Sequence, residues 1–370
     1  MARPLLILLH GSGVYSPGWA SSHVEHLGRL AATYPAIQDR GPLEDQVSLR
    51  ALNYDHVFEG LLDRWDREAE RLDKLLEESR TRLPRISAAL QEATLPADER
   101  SYIWTHVLDP IGYRSIDLIR DEVRAVVLAK VVSAINEHLA EHPGAQVSIL
   151  GHSLGTIVLH DVLHLLGSGQ AVDGGEVVAA DQFRFHCVFQ VSNVSRLGPS
   201  QLVDINPYRS VVRPVTAGPT PDGDAPFVGF FFNIHNRWDP LTWWQPFAPT
   251  GWGTGYFDIE LSHLHQINVH GLHHHLAHPN VHVPILRGLL GAWSVPEVEW
   301  HGRLADFPEL DLGDCGDQAT AFVRELDQLR QAADGRNLDD VAMGLLNLYR
   351  IVKRARAACA DLFNEFDGWL

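Results

Sequence analysis

Val147-Ser148-Ile149-Leu150-Gly151-His152-Ser153-Leu154-Gly155 carries a short apolar run straight into a pentapeptide of the form Gly-x-Ser-x-Gly. Thr156-Ile157-Val158-Leu159-His160-Asp161-Val162-Leu163 follows with helical spacing, so the stretch reads as strand, sharp turn, helix. A serine at the tip of such a turn projects its hydroxyl from the carboxyl end of the strand. Gly151 and Gly155 leave room for strand and helix to pass in contact, where a Cβ would clash. The N–H of Leu154, opening the helix, is aimed where the hydroxyl points, and an oxyanion formed there would meet a helix N-terminus. Two glycines around a serine also recur by chance, as a glycine-rich turn with a buried serine. The flanking strand and helix favour the chemical reading.

Working outward, Leu5 to Leu9 is a continuous apolar run of the kind buried on both faces of a parallel sheet, and it ends in His10-Gly11-Ser12-Gly13. Trp19 to Ala32 reads as helix, Val47 to Leu52 as strand, and Ile116 to Leu139 as a long helix stopped by Pro143 and Gly144. Between the second strand and that helix, about 63–113 reads as a helical insertion, either a lid or a structural appendage. Downstream of the serine, Phe183 to Val191 and Phe227 to Ile234 are strands, Tyr256 to Leu261 and Gln266 to Val269 weaker ones. Pro284 to Trp293 reads as a helix with proline at its first position. Roughly Gln318 to Phe366 is amphipathic helix. The alternation predicts an α/β fold with a mostly parallel central sheet and helices on both faces. Residues 1–300 would form this domain and 301–370 a C-terminal helical extension.

The strand ending near Ile234 leads to His235-Asn236-Arg237-Trp238-Asp239-Pro240, where the proline would hold Asp239 in an extended turn. The loop before Pro279 reads His270-Gly271-Leu272-His273-His274-His275-Leu276-Ala277-His278. The strand with its Gly-Ser-Gly end, the Gly-His-Ser-Leu-Gly turn, the strand ending at Asp239-Pro240 and the histidine loop match, in type and order, the α/β-hydrolases of the lipase and esterase type. The resemblance spans about Leu5 to Trp293. It departs in lacking room for the usual antiparallel strands before Leu5, in a missing or replaced helix between the strands ending near Val191 and Ile234, and in its added helical tail.

The resemblance implies the chain order serine, acid, histidine: Ser153 as nucleophile, Asp239 as acid, and the base among His274 (first choice), His270 (second) and His273 (third). It implies an oxyanion hole from the N–H of Leu154 and that of Ser12 or Gly13. The expected chemistry is hydrolysis of a carboxylic ester or thioester through an acyl-enzyme, on a small-molecule acyl substrate, with no cofactor and no metal. The aromatic run Trp238, Trp243, Trp244, Phe247, Trp252, Tyr256 and Phe257 reads either as an acyl pocket or as a hydrophobic cluster under a long loop.

Composition bounds the alternatives. The chain has 370 residues, 45% of them hydrophobic and 21% charged, enough for a large core. A net charge of −17 disfavours nucleic acid and anionic membrane surfaces as partners. Three scattered cysteines, Cys187, Cys315 and Cys359, suit a reducing cytoplasm rather than a disulfide framework. The apolar run at Leu5 is too short for a secretory signal, and no stretch reaches bilayer-spanning length. The C-terminal helices are compatible with homo-oligomerisation. Two rival readings remain: a metal site among His263, His265, His270, His273, His274, His275, His278 and His282, whose spacing matches no compact zinc motif, and a non-catalytic binding protein of the same fold.

Overall fold

Leucine and isoleucine on both faces of a strand demand cover on both sides, and the fold supplies it. The computed structural model describes residues 2–11, 18–57, 117–169, 183–196, 208–218, 226–243, 246–262 and 270–307, with isolated positions 324, 343, 346, 347 and 350. The predicted insertion at 63–113, the strand Gln266 to Val269 and most of 301–370 lie outside these residues. The strands are β1 (Leu5–Leu9), β2 (Ser48–Leu52), β3 (Val147–His152), β4 (Phe185–Val191), β5 (Val228–Asn236) and β6 (Tyr256–Leu261). They form one six-stranded sheet in the order β2-β1-β3-β4-β5-β6, and every pairing is parallel.

The helices are α1 (Ser21–Ala31), α2 (Pro35–Gln38), α3 (Leu43–Gln46), α4 (Asp117–Glu141), α5 (Leu154–Gly167), α6 (Pro240–Trp243), α7 (Leu272–Ala277), α8 (Pro279–Leu290) and α9 (Glu297–Ala305). Strand periodicity sorts them. Leu5, Ile7 and Leu9 face a core with Val123, Val127 and Val131 of α4 and Ile157, Val158 and Val162 of α5. Leu6 and Leu8 face a second core with Leu27 of α1, Leu272 of α7 and Val283 and Leu286 of α8. The two helices of the first face are tied by a buried ion pair: Arg124 Nε and Nη2 donate to Asp161 Oδ2 at 3.1 and 2.8 Å.

Two expectations change. The helix expected to open at Pro284 opens instead at Pro279, with Pro284 inside it. The physical reason is the cap: His278 Nδ1 accepts the Asn280 N–H at 3.1 Å, so Pro279 takes the first position, where a missing N–H costs nothing. The aromatic segment after Asp239 divides. Phe247 and Trp252 are buried on the first face around Phe231, stacked at 5.4 Å and edge-on at 5.2 Å. They are core, and the pocket alternative does not hold for them. The side chain of Trp243 and all of Trp244 lie outside the described residues. Among the described residues no helix is long and apolar enough to cross a membrane.

Phe231 sits at the centre of this ring cluster, so Phe231→Ala is expected to destabilise the protein by about 3–5 kcal/mol, read as a lower midpoint in denaturant unfolding.

Candidate functional site

The sheet order reverses at β1: the chain goes first to β2 on one side and then to β3 on the other, so the carboxyl ends of β1 and β3 lie at a topological switch point, the place where open parallel sheets bind ligands. Gly11 and Ser153 follow the ends of these two strands.

Ser153 is the hinge between β3 and α5. Its N–H donates to the Val191 carbonyl at 3.0 Å, as though the strand continued, and its carbonyl accepts the N–H of Thr156 at 2.8 Å and the Thr156 hydroxyl at 2.6 Å. Joining strand to helix without an intervening loop forces φ 53° and ψ −126°, a conformation L-residues avoid. Such compression requires small neighbours. A Cβ on Gly155 would overlap the His10 carbonyl oxygen, and one on Gly11 would come within 2.8 Å of the Ser153 Cβ. Leu154 is the first residue of α5, so its N–H has no intrahelical acceptor and faces outward at the positive end of the helix.

Asp239 is placed by the end of β5. Asn236 Oδ1 accepts the Trp238 N–H at 3.0 Å, and the Asp239 N–H donates to the Asn236 carbonyl at 2.9 Å, turning the chain back over the strand end. The fully buried Asp239 carboxylate divides its oxygens: Oδ1 accepts the Leu241 N–H at 3.1 Å, opening α6, and Oδ2 accepts from His270 Nδ1 at 2.8 Å. On its other side His270 Nε2 accepts the Ser153 hydroxyl at 2.7 Å. Ser153, His270 and Asp239 thus form one unbroken hydrogen-bonded path that joins the ends of β3 and β5 to the turn before α7.

Of the three histidines expected as base, the structure brings His270 to Ser153 and leaves the other two elsewhere. His274, the first choice, is fully buried in α7 and its Nε2 accepts from Asn236 Nδ2 at 3.3 Å. His273 lies on the α1 side of the same helix, its ring 3.8 Å from that of His26. The arrangement has a simple cause: α7 starts at Leu272, so positions 273 to 275 are locked to a helical face while His270 precedes it in the turn. Ser12 and Gly13 lie outside the described residues. Among the described residues no group of three or more His, Cys, Asp or Glu side chains is arranged to hold a metal ion, and His263 and His265 lie outside them.

The surrounding histidines are neutral polar linkers. His10 donates from Nδ1 to the Gly11 carbonyl at 2.8 Å and accepts the Tyr54 N–H at Nε2 at 3.2 Å, its ring stacked on Tyr54 at 4.1 Å. Burial lowers its pKa to about 4. His152 donates from Nε2 to the His270 carbonyl at 2.7 Å, and burial followed by the nearby His270 holds its pKa well below the usual value. Ser192, the residue after β4, has φ 49° and donates its hydroxyl to the same carbonyl at 3.1 Å. Ser192 carries no signal in the sequence, because a serine at a strand end has no distinctive pattern. Only the register, in which His152 pairs with Val191 and the two serines follow in step, sets it beside Ser153.

No protein-family model, curated protein or solved structure matches the chain.

The buried imidazoles set the acid response. His10, His23, His26, His275, His278 and His282 are lowered from 6.5 to about 4, chiefly by burial. On acidification the unfolded chain binds protons before the folded one. Stability is therefore full above about pH 6.5 and drains as pH falls toward 4. Thermal melts across this range should show a steep drop in midpoint, and a flat profile would contradict the buried neutral state.

Proposed function

We propose that the protein is a serine hydrolase of the α/β-hydrolase type, lipase- or esterase-like, cleaving a carboxylic ester or thioester through an acyl-enzyme on Ser153. The observation that carries this reading is the path of 2.7 and 2.8 Å hydrogen bonds from the Ser153 hydroxyl through His270 to the buried Asp239 carboxylate. A strained serine at a helix N-terminus supports it, since a structural serine would not need that conformation.

In this mechanism Ser153 Oγ bonds to the substrate carbonyl carbon as its proton passes to His270 Nε2. The carbonyl oxygen gains the negative charge and is held by the Leu154 N–H, with a second donor expected from Ser12 or Gly13. Asp239 Oδ2 accepts from Nδ1 throughout, fixing the tautomer and stabilising the imidazolium. As the tetrahedral species collapses, the bond to the alcohol or thiol breaks and the leaving group takes the proton from Nε2. Water then repeats the sequence: His270 removes its proton, the hydroxide oxygen bonds to the acyl carbon, and Ser153 leaves with the proton as the free acid departs. The chain's own residues supply every proton transfer.

The test is a fluorophosphonate probe, with the labelled residue found by mass spectrometry. Wild type should label at Ser153, and Ser153→Ala should not label at all. His270→Ala should slow labelling by about a thousandfold or more, whereas His274→Ala should slow it by less than about tenfold and act mainly on the melting temperature. A folded wild type that does not label at Ser153 would overturn the reading in favour of a binding protein. Equal losses from His270→Ala and His274→Ala would overturn the assignment of the base.

A further inference from the structure

The His270 side chain must meet two partners at once, Ser153 at 2.7 Å and Asp239 at 2.8 Å, yet it sits in a turn rather than in a strand or helix. Its side chain cannot hold itself there, because each of those bonds is equally a demand upon it. The backbone of His270 is where the grip lies. Its carbonyl oxygen accepts from His152 Nε2 at 2.7 Å and from the Ser192 hydroxyl at 3.1 Å, filling both lone pairs. The next carbonyl, that of Gly271, accepts from His275 Nδ1 at 2.9 Å and from the His275 N–H at 3.2 Å. The peptide plane that follows His270 is thereby fixed, and so is the next one, after Gly271.

The donors are not scattered. His152 is the last residue of β3 and directly precedes Ser153, and Ser192 directly follows β4, whose Val191 carbonyl accepts the Ser153 N–H. Both donors are therefore rigidly attached to the nucleophile's own backbone. Burial enforces the arrangement: His152 is 6% and Ser192 0% exposed, so neither can exchange this carbonyl for water without leaving buried polar groups unsatisfied. The left-handed backbone of Ser192 has a further meaning here. At φ 49° the chain bends so that its hydroxyl reaches the His270 carbonyl, a strain with no evident purpose for a serine acting only as a strand terminus.

We propose that His152 and Ser192 are positioning residues that set the base against the nucleophile by gripping the His270 carbonyl, so that the separation of Ser153 and His270 is fixed through one peptide oxygen. The inference rests on the serine-hydrolase reading for its kinetic consequence but not for its geometric one. Neither residue touches the reacting atoms: the grip acts through His270.

Three variants test it: His152→Leu, which removes the donor and keeps apolar bulk; His152→Gln, which returns an N–H at similar reach; and Ser192→Gly, which removes the hydroxyl where the backbone welcomes glycine. Saturation kinetics of fluorophosphonate labelling separate the limiting rate from the probe's apparent affinity. His152→Leu should lower the limiting rate about 10- to 100-fold with affinity unchanged, as expected for a misplaced group. His152→Gln should recover most of the loss, and Ser192→Gly should cost about three- to tenfold. Melting temperatures that change alike in the leucine and glutamine variants, while only the glutamine variant labels well, would separate positioning from stability. Wild-type rates in a folded His152→Leu would overturn the proposal, as would equal rates in the leucine and glutamine variants. A crystal structure of His152→Leu gives a readout independent of labelling: His270 Nε2 should lie beyond about 3.5 Å from Ser153 Oγ. An unmoved His270 would overturn the proposal even if wild type never labels, an outcome that would by itself sink only the hydrolase reading.

Discussion

The carboxyl end of β1 passes so close to the first turn of α5 that the His10 carbonyl oxygen occupies the space a Cβ on Gly155 would need. Much of the structure follows from this approach. It lets α5 start without a loop, which forces the left-handed backbone at Ser153. It aligns the helix N-terminus with the carboxyl ends of β1 and β3, so the end of a helix dipole and a hydroxyl share one point in space. The β1 side of the contact must be equally lean, and Gly11, within 2.8 Å of the serine Cβ were it alanine, provides that. Neighbouring bulk then secures the approach from behind, through the His10 ring stacked on Tyr54 and edge-on to Trp19.

The buried histidines are the second theme. An imidazole can donate at one nitrogen and accept at the other, which lets it bridge backbone groups that a carboxylate or an amine would leave half satisfied. His10 does this between Gly11 and Tyr54, and His282 does it by donating from Nδ1 to the Leu276 carbonyl at 2.9 Å while accepting the Tyr34 hydroxyl at 2.7 Å. Burial keeps both rings neutral by lowering their pKa values to about 4, and the solvent pH thereby enters the stability of the core.

Strands such as β1 and β6 were legible because Pro4 and Gly255 open their runs, and both match the structure end for end. The turn at Ser153 was legible because sterics leave few sequences that can make it. The place of Asp239 could be read from a strand end and a following proline. Which histidine meets Ser153 could not be read, because His270, His273 and His274 differ only in which side of the first residue of α7 they fall, and the cap there, Gly271, also reads as an ordinary loop glycine. A helix start placed at Leu272 would have set His270 apart. The proline at Pro284 misled in the same way, since the capping histidine before Pro279 carries no standard capping signature. The grip on the His270 carbonyl had no sequence signal at all: it joins residues 118 and 78 positions apart through a backbone atom.

The divided carboxylate of Asp239 bears on how such a chain would drift over evolutionary time. One oxygen opens α6 and the other meets His270, so selection for folding alone would retain this aspartate after any chemistry had lapsed. Ser153 has no such second employment. Its left-handed conformation costs of the order of 1–3 kcal/mol, which glycine would relieve at once. A descendant released from selection on any chemistry at Ser153 would therefore lose the serine early and the aspartate late. The serine, held at a standing energetic disadvantage, is the residue whose persistence among descendants would testify to use.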